Sequence, residues 1–222
     1  MSNSDPHLHM PLSVFGAPAC DATLAVILVH GRGQSPRWMH EQIVRRFARP
    51  DVAWHAPAAA DGSWYPQRFI EPIEANEPRL SQALARLDAV SGALREQGIP
   101  YDAQVLMGFS QGACLCSEFV WRMRRRYRAL VAFTGGLIGP PGMHRDVAHG
   151  VLQHMPVLLS TWDDDPHVPA GSVRESAAFF EKAGAVVTLK IEGATEHGIR
   201  DAEIGYARQM LADAASSHHD KR

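Results

Sequence analysis

Cysteine is scarce in this sequence, and its scarcity excludes a fold built on disulfide bonds. Only three cysteines occur among the 222 residues. Cys20, Cys114 and Cys116 are too few and too unevenly spaced for a disulfide framework. Cys114 and Cys116 fall in a predicted helix, where side chains two positions apart point to different faces. We therefore expect core thiols, not metal ligands or redox partners.

An excess of charge of one sign is also missing. The formal net charge is −2, so the chain has no global field that would attract nucleic acid or an anionic membrane. The local exception is a group of five arginines: Arg122, Arg124, Arg125, Arg126 and Arg128. Because cations are favoured at a helix C-terminus and nucleic-acid binding needs a basic face, we interpret this group as a solvated helix end.

Long hydrophobic runs are absent. The most apolar early stretch, Leu24–Val29, is far shorter than the about 20 residues of a membrane-spanning helix, so no stable membrane insertion is expected. The N-terminus has neither the basic start nor the apolar stretch of a signal peptide. These absences predict a cytoplasmic protein.

The sequence has enough apolar residues for one folded domain spanning residues 1–222, with flexible ends at 1–10 and 216–222. His218 and His219 resemble a tag fragment or a disordered end. Short apolar runs alternate with longer amphipathic ones. The predicted strands are Leu24–His30, Val52–His55, Gln104–Gly108, Leu130–Thr134, Val157–Trp162 and Val186–Ile191, with an edge strand around Leu12–Phe15. The predicted helices are Arg37–Ala48, Glu77–Gln97, Gly112–Arg125, Ser172–Ala183 and Ile199–Ala215.

This alternation predicts an α/β fold with a mainly parallel, twisted sheet covered by helices on both faces. No insertion between strands is long enough for a large lid. In such sheets the chemistry lies beyond the carboxyl ends of the strands. Functional motifs should therefore come directly after strands.

One such motif is Gly108-Phe109-Ser110-Gln111-Gly112, which follows an apolar strand and precedes a helix. It matches the G-x-S-x-G nucleophile elbow of the α/β-hydrolase fold, in which a sharp turn projects the serine hydroxyl above the sheet. The alternative is an ordinary strand-to-helix turn. A serine hydroxyl needs a base oriented by an acid, and in this fold both follow the serine in the order Ser, acid, His.

The acid is expected after the strand that ends near Trp162. Asp163, Asp164 and Asp165 all follow it, and chemistry alone does not choose among them. Two of the three are expected to form a solvated turn that caps the helix near Ser172. A metal cluster of these aspartates with His167 is disfavoured, because adjacent aspartates in a turn rarely converge on one ion. No metal and no cofactor are therefore expected.

The base is expected after the last strand. His197 lies there in a loop beside Gly198, and it alone among twelve histidines combines the right order, a post-strand loop and a flanking glycine. His167 is its main rival.

The oxyanion of acyl transfer needs backbone donors. One is the N–H of Gln111, directly after the nucleophile, and the other comes from an early post-strand loop. His30-Gly31-Arg32-Gly33 supplies that loop, through the N–H of Arg32. A phosphate cradle is the weaker alternative, since no Lys-Ser/Thr follows.

Four motifs in the same order resemble the phospholipase/carboxylesterase branch of the α/β-hydrolases, over about residues 24 to 212. They are His30-Gly31-Arg32-Gly33, Gly108-Phe109-Ser110-Gln111-Gly112, Asp165-Pro166-His167-Val168-Pro169 and Glu196-His197-Gly198. The branch includes small bacterial carboxylesterases and acyl-protein thioesterases. The resemblance implies that Asp165 is the acid, that His197 is the base and that Arg32 and Gln111 are the oxyanion donors. By family likeness alone, a homodimer is allowed.

The chain departs from the family at two places. Thr161-Trp162 stands where the family usually has His-Gly, and Glu196 precedes His197 where a small or apolar residue is more common. Neither change removes a catalytic group. Both make it unsafe to transfer a substrate from a relative.

The expected function is hydrolysis of small or medium acyl esters or thioesters, with a small molecule as the partner and an open, shallow pocket. Trp64, Tyr65 and Phe69 either line that pocket or only pack their loop, and Leu137 forms another wall. The Arg32 guanidinium either meets an anionic substrate or points to solvent. The alternatives are a lactone or carbon–carbon bond hydrolase with the same triad, and a non-catalytic ligand-binding protein on this fold.

Overall fold

The computed structural model describes residues 5–147 and 149–216, with side chains in the last helix as far as residue 212. Of the ends predicted to be flexible, residues 1–4 and 217–222, with His218 and His219, lie outside the described residues. The strands are β1 (Leu12–Gly16), β2 (Leu24–Val29), β3 (Val52–Pro57), β4 (Gln104–Phe109), β5 (Ala129–Phe133), β6 (Pro156–Trp162) and β7 (Val186–Glu192).

The helices agree with the predicted ones to within a few residues. α1 (Pro36–Met39) continues through a π-helical stretch, His40–Val44, into α2 (Arg45–Phe47). The later helices are α3 (Arg79–Glu96), α4 (Gln111–Met123), α5 (Ala170–Lys182) and α6 (Asp201–Ser216).

Four predicted helix boundaries are wrong by two residues: the starts of α3, α5 and α6 and the end of α4. Two of these have a clear local reason. α3 begins after Pro78, because Glu77 precedes a proline and its backbone is extended (φ −83°, ψ 152°). α4 ends at Met123 because Arg124 adopts a left-handed conformation with φ +50°.

All seven strands form one sheet in the order β1-β3-β2-β4-β5-β6-β7. β1 runs antiparallel to β3, and the other neighbours pair in parallel. The chain builds outward on one side of β2 with β3 and on its other side with β4. The order therefore reverses between β2 and β4, and a crevice is expected beyond the carboxyl ends of these two strands.

The buried strands explain the two-sided core. Every residue of β2 and β4 is buried, and successive side chains go to opposite faces. Ala25, Ile27 and Val29 pack in a cluster that includes buried residues of α3, α4 and α5. Val26 and Leu28 pack in a second cluster with residues of α1, the π-helical stretch, α2 and α6. No helix in the described part of the chain is both long and apolar enough to cross a membrane.

Two buried histidines hold the segment that follows β3. His30 Nε2 accepts from the N–H of Ala59 at 3.0 Å, and its Nδ1 donates to the carbonyl of Gly31 at 2.7 Å. His7 Nδ1 accepts from the N–H of Ala60 at 3.1 Å, and its Nε2 donates to the carbonyl of Trp64 at 3.0 Å. Each ring must accept one bond, so both act here as neutral imidazoles. Burial lowers the pKa of both.

We expect the free energy of unfolding to fall as the pH drops below about 6.5, the ordinary histidine pKa. The unfolded chain then binds protons at His7, His30 and His55, whereas burial lowers the pKa of all three in the folded protein. The stabilisation is therefore complete above about pH 6.5 and declines towards acid, by up to about 1.4 kcal/mol per pH unit for each histidine. Urea unfolding at a series of pH values measures this slope.

A matched pair of variants isolates one histidine. His30→Gln keeps an oxygen that can accept the Ala59 N–H but cannot be protonated, so its stability should depend less steeply on pH than that of the wild type. His9→Gln, at an exposed position, should leave the slope unchanged. The same slope in His30→Gln as in the wild type would contradict this account.

Candidate active site

Ser110 occupies a sharp turn between β4 and α4. Its backbone has φ +53° and ψ −119°, a conformation that a residue with a side chain adopts only when the surroundings enforce it. Its N–H is bonded to the carbonyl of Phe133 on β5, at 2.9 Å. The turn places the hydroxyl beyond the carboxyl end of β4, at the crevice beside β2.

The two glycines that flank this turn are required by space. A Cβ on Gly108 would lie 2.4 Å from the carbonyl oxygen of Gly112, and a Cβ on Gly112 would lie 2.2 Å from that of Val29. Both distances are far below van der Waals contact. The spacing of the G-x-S-x-G motif therefore lets α4 start directly against the ends of β4 and β2.

The structure brings Ser110, His197 and Asp165 into one chain of hydrogen bonds. His197 Nε2 lies 2.9 Å from Ser110 Oγ, and Nδ1 lies 2.9 Å and 3.1 Å from the two oxygens of Asp165. Asp165 Oδ1 also accepts from the N–H groups of His167 and Val168, both at 2.8 Å. With Nδ1–H donating to the carboxylate, Nε2 is left to accept the serine proton.

The rival histidine does not reach the serine. The ring of His167 packs edge-on against that of His197, with centroids 5.0 Å apart. Among the described residues no group of three or more His, Cys, Asp or Glu is arranged to hold a metal ion.

The other two aspartates join the loop after β6 to the loop after β7. Asp163 Oδ1 accepts from the N–H of Ala194 at 2.9 Å, and Asp164 Oδ2 accepts from the hydroxyl of Thr195 at 2.6 Å. The expectation that two of the aspartates cap the helix near Ser172 is therefore wrong. Helix α5 starts after Pro169 without a side-chain cap, because both carboxylates find donors on the loop that carries His197.

The two predicted oxyanion donors lie on the same cavity as Ser110. Gln111 is the first residue of α4, so its N–H has no acceptor inside the helix. Arg32 lies in the turn after β2, and both residues line the cavity. No hydrogen bond from either backbone N–H is found among the described residues.

The side chains of these same two residues hold one wall of the cavity. Gln111 Nε2 donates to the carbonyl of Tyr65 at 2.7 Å, and its Oε1 accepts from the N–H of Trp64 at 3.0 Å. The Arg32 guanidinium donates to the carbonyls of Tyr65, Pro66 and Gln67 at 2.8 to 3.0 Å. Of the two alternatives that the sequence left open for this guanidinium, a position directed only at solvent is therefore wrong.

A cavity of about 420 Å³ opens above Ser110. Tyr65 and Phe69 line it, as predicted, but Trp64 and Leu137 do not. Trp64 is fully buried, and its indole N–H donates to the carbonyl of His30 at 2.8 Å. Leu137 is buried where its N–H donates to Ser176 on α5, at 2.9 Å.

Several lining residues were not predicted. They include Gln34, Arg68, Phe109, Cys114, His167 and Val168. Phe109 and Val168 stand inside motifs that the sequence analysis had already singled out, so position beside a motif was a usable signal. Gln34 directly follows the His30-Gly31-Arg32-Gly33 motif and shares this signal. Arg68 does not, because nothing in the sequence shows which residues of its loop face the serine.

Cys114 is the second nucleophilic side chain on this cavity, and it is unsuited to act as one. Burial raises the pKa of its thiol to about 12. Since the thiolate is the reactive form, the thiol is inert at neutral pH. Cys116 is also buried, as expected for core thiols.

A sequence model of the phospholipase/carboxylesterase family matches residues 13–214. Among curated proteins no sequence matches this chain. A phospholipase/carboxylesterase from Dyadobacter fermentans is 35% identical, and its crystal structure superposes with a TM-score of 0.82 over 91% of this chain and 96% of that one.

Two more distant structures share the fold. Esterase PE8 is 24% identical, with a TM-score of 0.74 over 92% of this chain and 99% of that one. A carboxylesterase from Mesorhizobium loti is 20% identical, with a TM-score of 0.69 over 96% and 97% of the two chains. Together with the parallel sheet and its two helical layers, these likenesses confirm the predicted α/β-hydrolase fold class.

We expect Thr195→Val to slow the reaction of Ser110 with a fluorophosphonate about five-fold, as loss of one hydrogen bond of about 1 kcal/mol predicts. The change removes the hydroxyl that Asp164 holds and so loosens the loop that carries His197. The second-order rate constant of labelling measures the effect.

Thr195→Ser keeps the hydroxyl and should restore most of the rate. Thr188→Val, the same substitution on β7 itself, is the control and should label at the wild-type rate. If Thr195→Val labels as fast as Thr188→Val, the link between the two loops does not position the histidine.

Proposed function

Because the chain belongs to the phospholipase/carboxylesterase family of α/β-hydrolases, we propose that it cleaves carboxylic esters or thioesters of small to medium acyl groups. The proposed machinery is the triad of Ser110, His197 and Asp165. The observation that carries the proposal is the continuous hydrogen-bond chain among these three side chains at the floor of the cavity. They come from three loops far apart in the sequence, each at the carboxyl end of a parallel strand.

In the proposed mechanism Ser110 Oγ attacks the substrate carbonyl while His197 Nε2 takes its proton. The imidazolium that forms is stabilised by Asp165, which also keeps Nδ1 protonated. His197 then gives the proton to the leaving alcohol or thiol, and an acyl group remains on the serine. Water then attacks the acyl carbon as the same nitrogen takes its proton, and that proton passes to Ser110 Oγ when the acid is released.

The negative oxygen of each tetrahedral intermediate needs preorganised donors. The backbone N–H groups of Gln111 and Arg32 are proposed for this role. The free N-terminus of α4 adds favourable electrostatics at Gln111. The side chains of both residues are fixed on the segment around Tyr65, which supports a rigid placement of their backbones.

The size of the cavity supports small or medium acyl groups over long lipid chains. About 420 Å³ is at the lower end of the range for small-molecule pockets. Apolar contact comes from Tyr65, Phe69 and Val168, while Gln34, Gln67 and Arg68 add polar groups.

A fluorophosphonate probe should label Ser110, and mass spectrometry of the labelled peptide identifies the site. We expect Ser110→Ala to abolish both labelling and hydrolysis of p-nitrophenyl esters and thioesters of graded chain length. A binding protein without catalysis would leave Ser110 unlabelled. Labelling without turnover of any ester or thioester would favour the lactone or carbon–carbon alternative.

Asp165→Asn should lower kcat about 10³- to 10⁴-fold, because an amide cannot stabilise the imidazolium or hold the productive tautomer. Asp163→Asn, two residues earlier in the same loop, is the matched control. We expect it to lower kcat far less, since its partner is a backbone N–H. Steady-state kinetics on one short-chain ester compares the two. Full activity in Asp165→Asn would overturn the assignment of the acid.

A further inference from the structure

The cavity above Ser110 is lined by positive charge without a balancing acid. Two arginines, Arg32 and Arg68, are among its lining residues. No aspartate or glutamate lines it in the part of the chain that the structure describes. Asp165 lies behind His197, bonded to it and to two backbone N–H groups. A cleft of one sign with low-dielectric walls concentrates ligands of opposite charge.

The two arginines differ in what they leave free. The Arg32 guanidinium already donates to three backbone carbonyls, so it contributes charge with few remaining donors. Among the described residues, the Arg68 guanidinium has one polar contact, from Nη2 to the carbonyl oxygen of His167 at 3.4 Å, which is long for a hydrogen bond. A guanidinium carries five N–H donors. Most of those on Arg68 remain available to a ligand.

Within the described residues, Arg68 forms no ion pair. Other arginines of the chain have carboxylate partners, such as Arg200 with Glu203 and Arg46 with Asp201, both at 2.6 Å. Glu71 is the acid nearest to Arg68 in sequence, and only its backbone N–H bonds the Arg68 carbonyl, at 3.1 Å. Its carboxylate forms no ion pair with the guanidinium.

The backbone beneath Arg68 is fixed. Asn76, which is fully buried, accepts from the N–H of Gln67 at 2.8 Å and donates to the carbonyl of Arg68 at 3.3 Å. From this anchor the guanidinium reaches the loop after β6 at His167, so it crosses from one wall of the cavity to the other. A cation held at this place meets whatever part of a substrate extends from the serine towards solvent.

We propose that this site selects esters or thioesters that carry a carboxylate near the scissile bond, and that Arg68 is the residue that recognises it. The planar guanidinium matches a carboxylate in a two-pronged bond, and Arg32 adds favourable charge nearby. The inference rests on the proposed hydrolase function and goes beyond it by naming the substrate class.

The test uses two pairs of substrates that differ only in charge. One pair places it on the acyl side: the p-nitrophenyl monoester of adipic acid against the corresponding ester of its terminal amide. The other places it on the alcohol side: 4-acetoxybenzoate against 4-acetoxybenzamide. We expect kcat/KM of the wild type to be about ten-fold higher for the charged member of at least one pair, as a charge-assisted hydrogen bond implies. Added salt should reduce that ratio.

Variants assign the preference to a residue. In Arg68→Gln the ratio of charged to neutral kcat/KM should fall about ten-fold, and Arg68→Lys should retain part of it. Arg174→Gln, on the exposed face of α5, removes the same charge far along the chain and should leave both rates unchanged.

The outcomes separate this inference from the proposed function. Ser110-dependent hydrolysis without a charge preference in either pair, or with a preference that survives in Arg68→Gln, overturns the inference alone. If the wild type hydrolyses none of the four esters, the proposed function is contradicted and the inference falls with it.

Discussion

The close approach of α4 to the ends of β2 and β4 is the constraint on which the rest of the site depends. It is possible only because two glycines lack a Cβ where backbone carbonyls lie within 2.2 to 2.4 Å of its place. That approach forces Ser110 into a strained backbone conformation with positive φ and turns its hydroxyl out of the sheet. It also puts the N-terminus of α4, where the N–H of Gln111 has no acceptor inside the helix, on the same cavity as that hydroxyl. The position of the Ser110 hydroxyl and the favourable electrostatics of the helix N-terminus therefore both result from this close approach.

A parallel sheet brings strand ends to one edge, but it does not align the loops that follow them. Here the alignment comes from side chains that bond one loop to the next. Asp163 and Asp164 tie the acid's loop to the loop of His197. Arg32 and Gln111 tie the turns after β2 and β4 to the segment around Tyr65. Each bond crosses between segments far apart in sequence, and together they fix the cavity wall relative to the serine.

The sheet sets where the strands end, and side-chain bonds align the loops. This difference explains which features the sequence predicts. The strands were recognisable because strands buried on both faces have unbroken apolar runs. The functional motifs could be located directly after them because the carboxyl ends of parallel strands lie at one edge of the sheet. The placement of Ser110, His197 and Asp165 side by side needed only that rule and the family resemblance. The partners of Arg32 and Asp164 were not predictable, since a polar side chain on a loop has several donors or acceptors within reach. The position of Trp64 was not predictable for the same reason. Its indole N–H donates to the buried carbonyl of His30, and the ring does not line the pocket.

The charge of the cavity is set by which side chains are bonded to one another, and not by the composition of the whole chain. The chain as a whole carries a formal net charge of −2, which by itself favours no anionic ligand. Yet the three aspartates of the loop after β6 are all bonded: Asp165 to His197, and Asp163 and Asp164 to the neighbouring loop. Within the described part of the chain, neither of the two arginines that line the cavity, Arg32 and Arg68, is paired with a carboxylate. Using the acids to build the site thus leaves the cavity positive, and a preference for anionic substrates would be a consequence of how the triad is held in place.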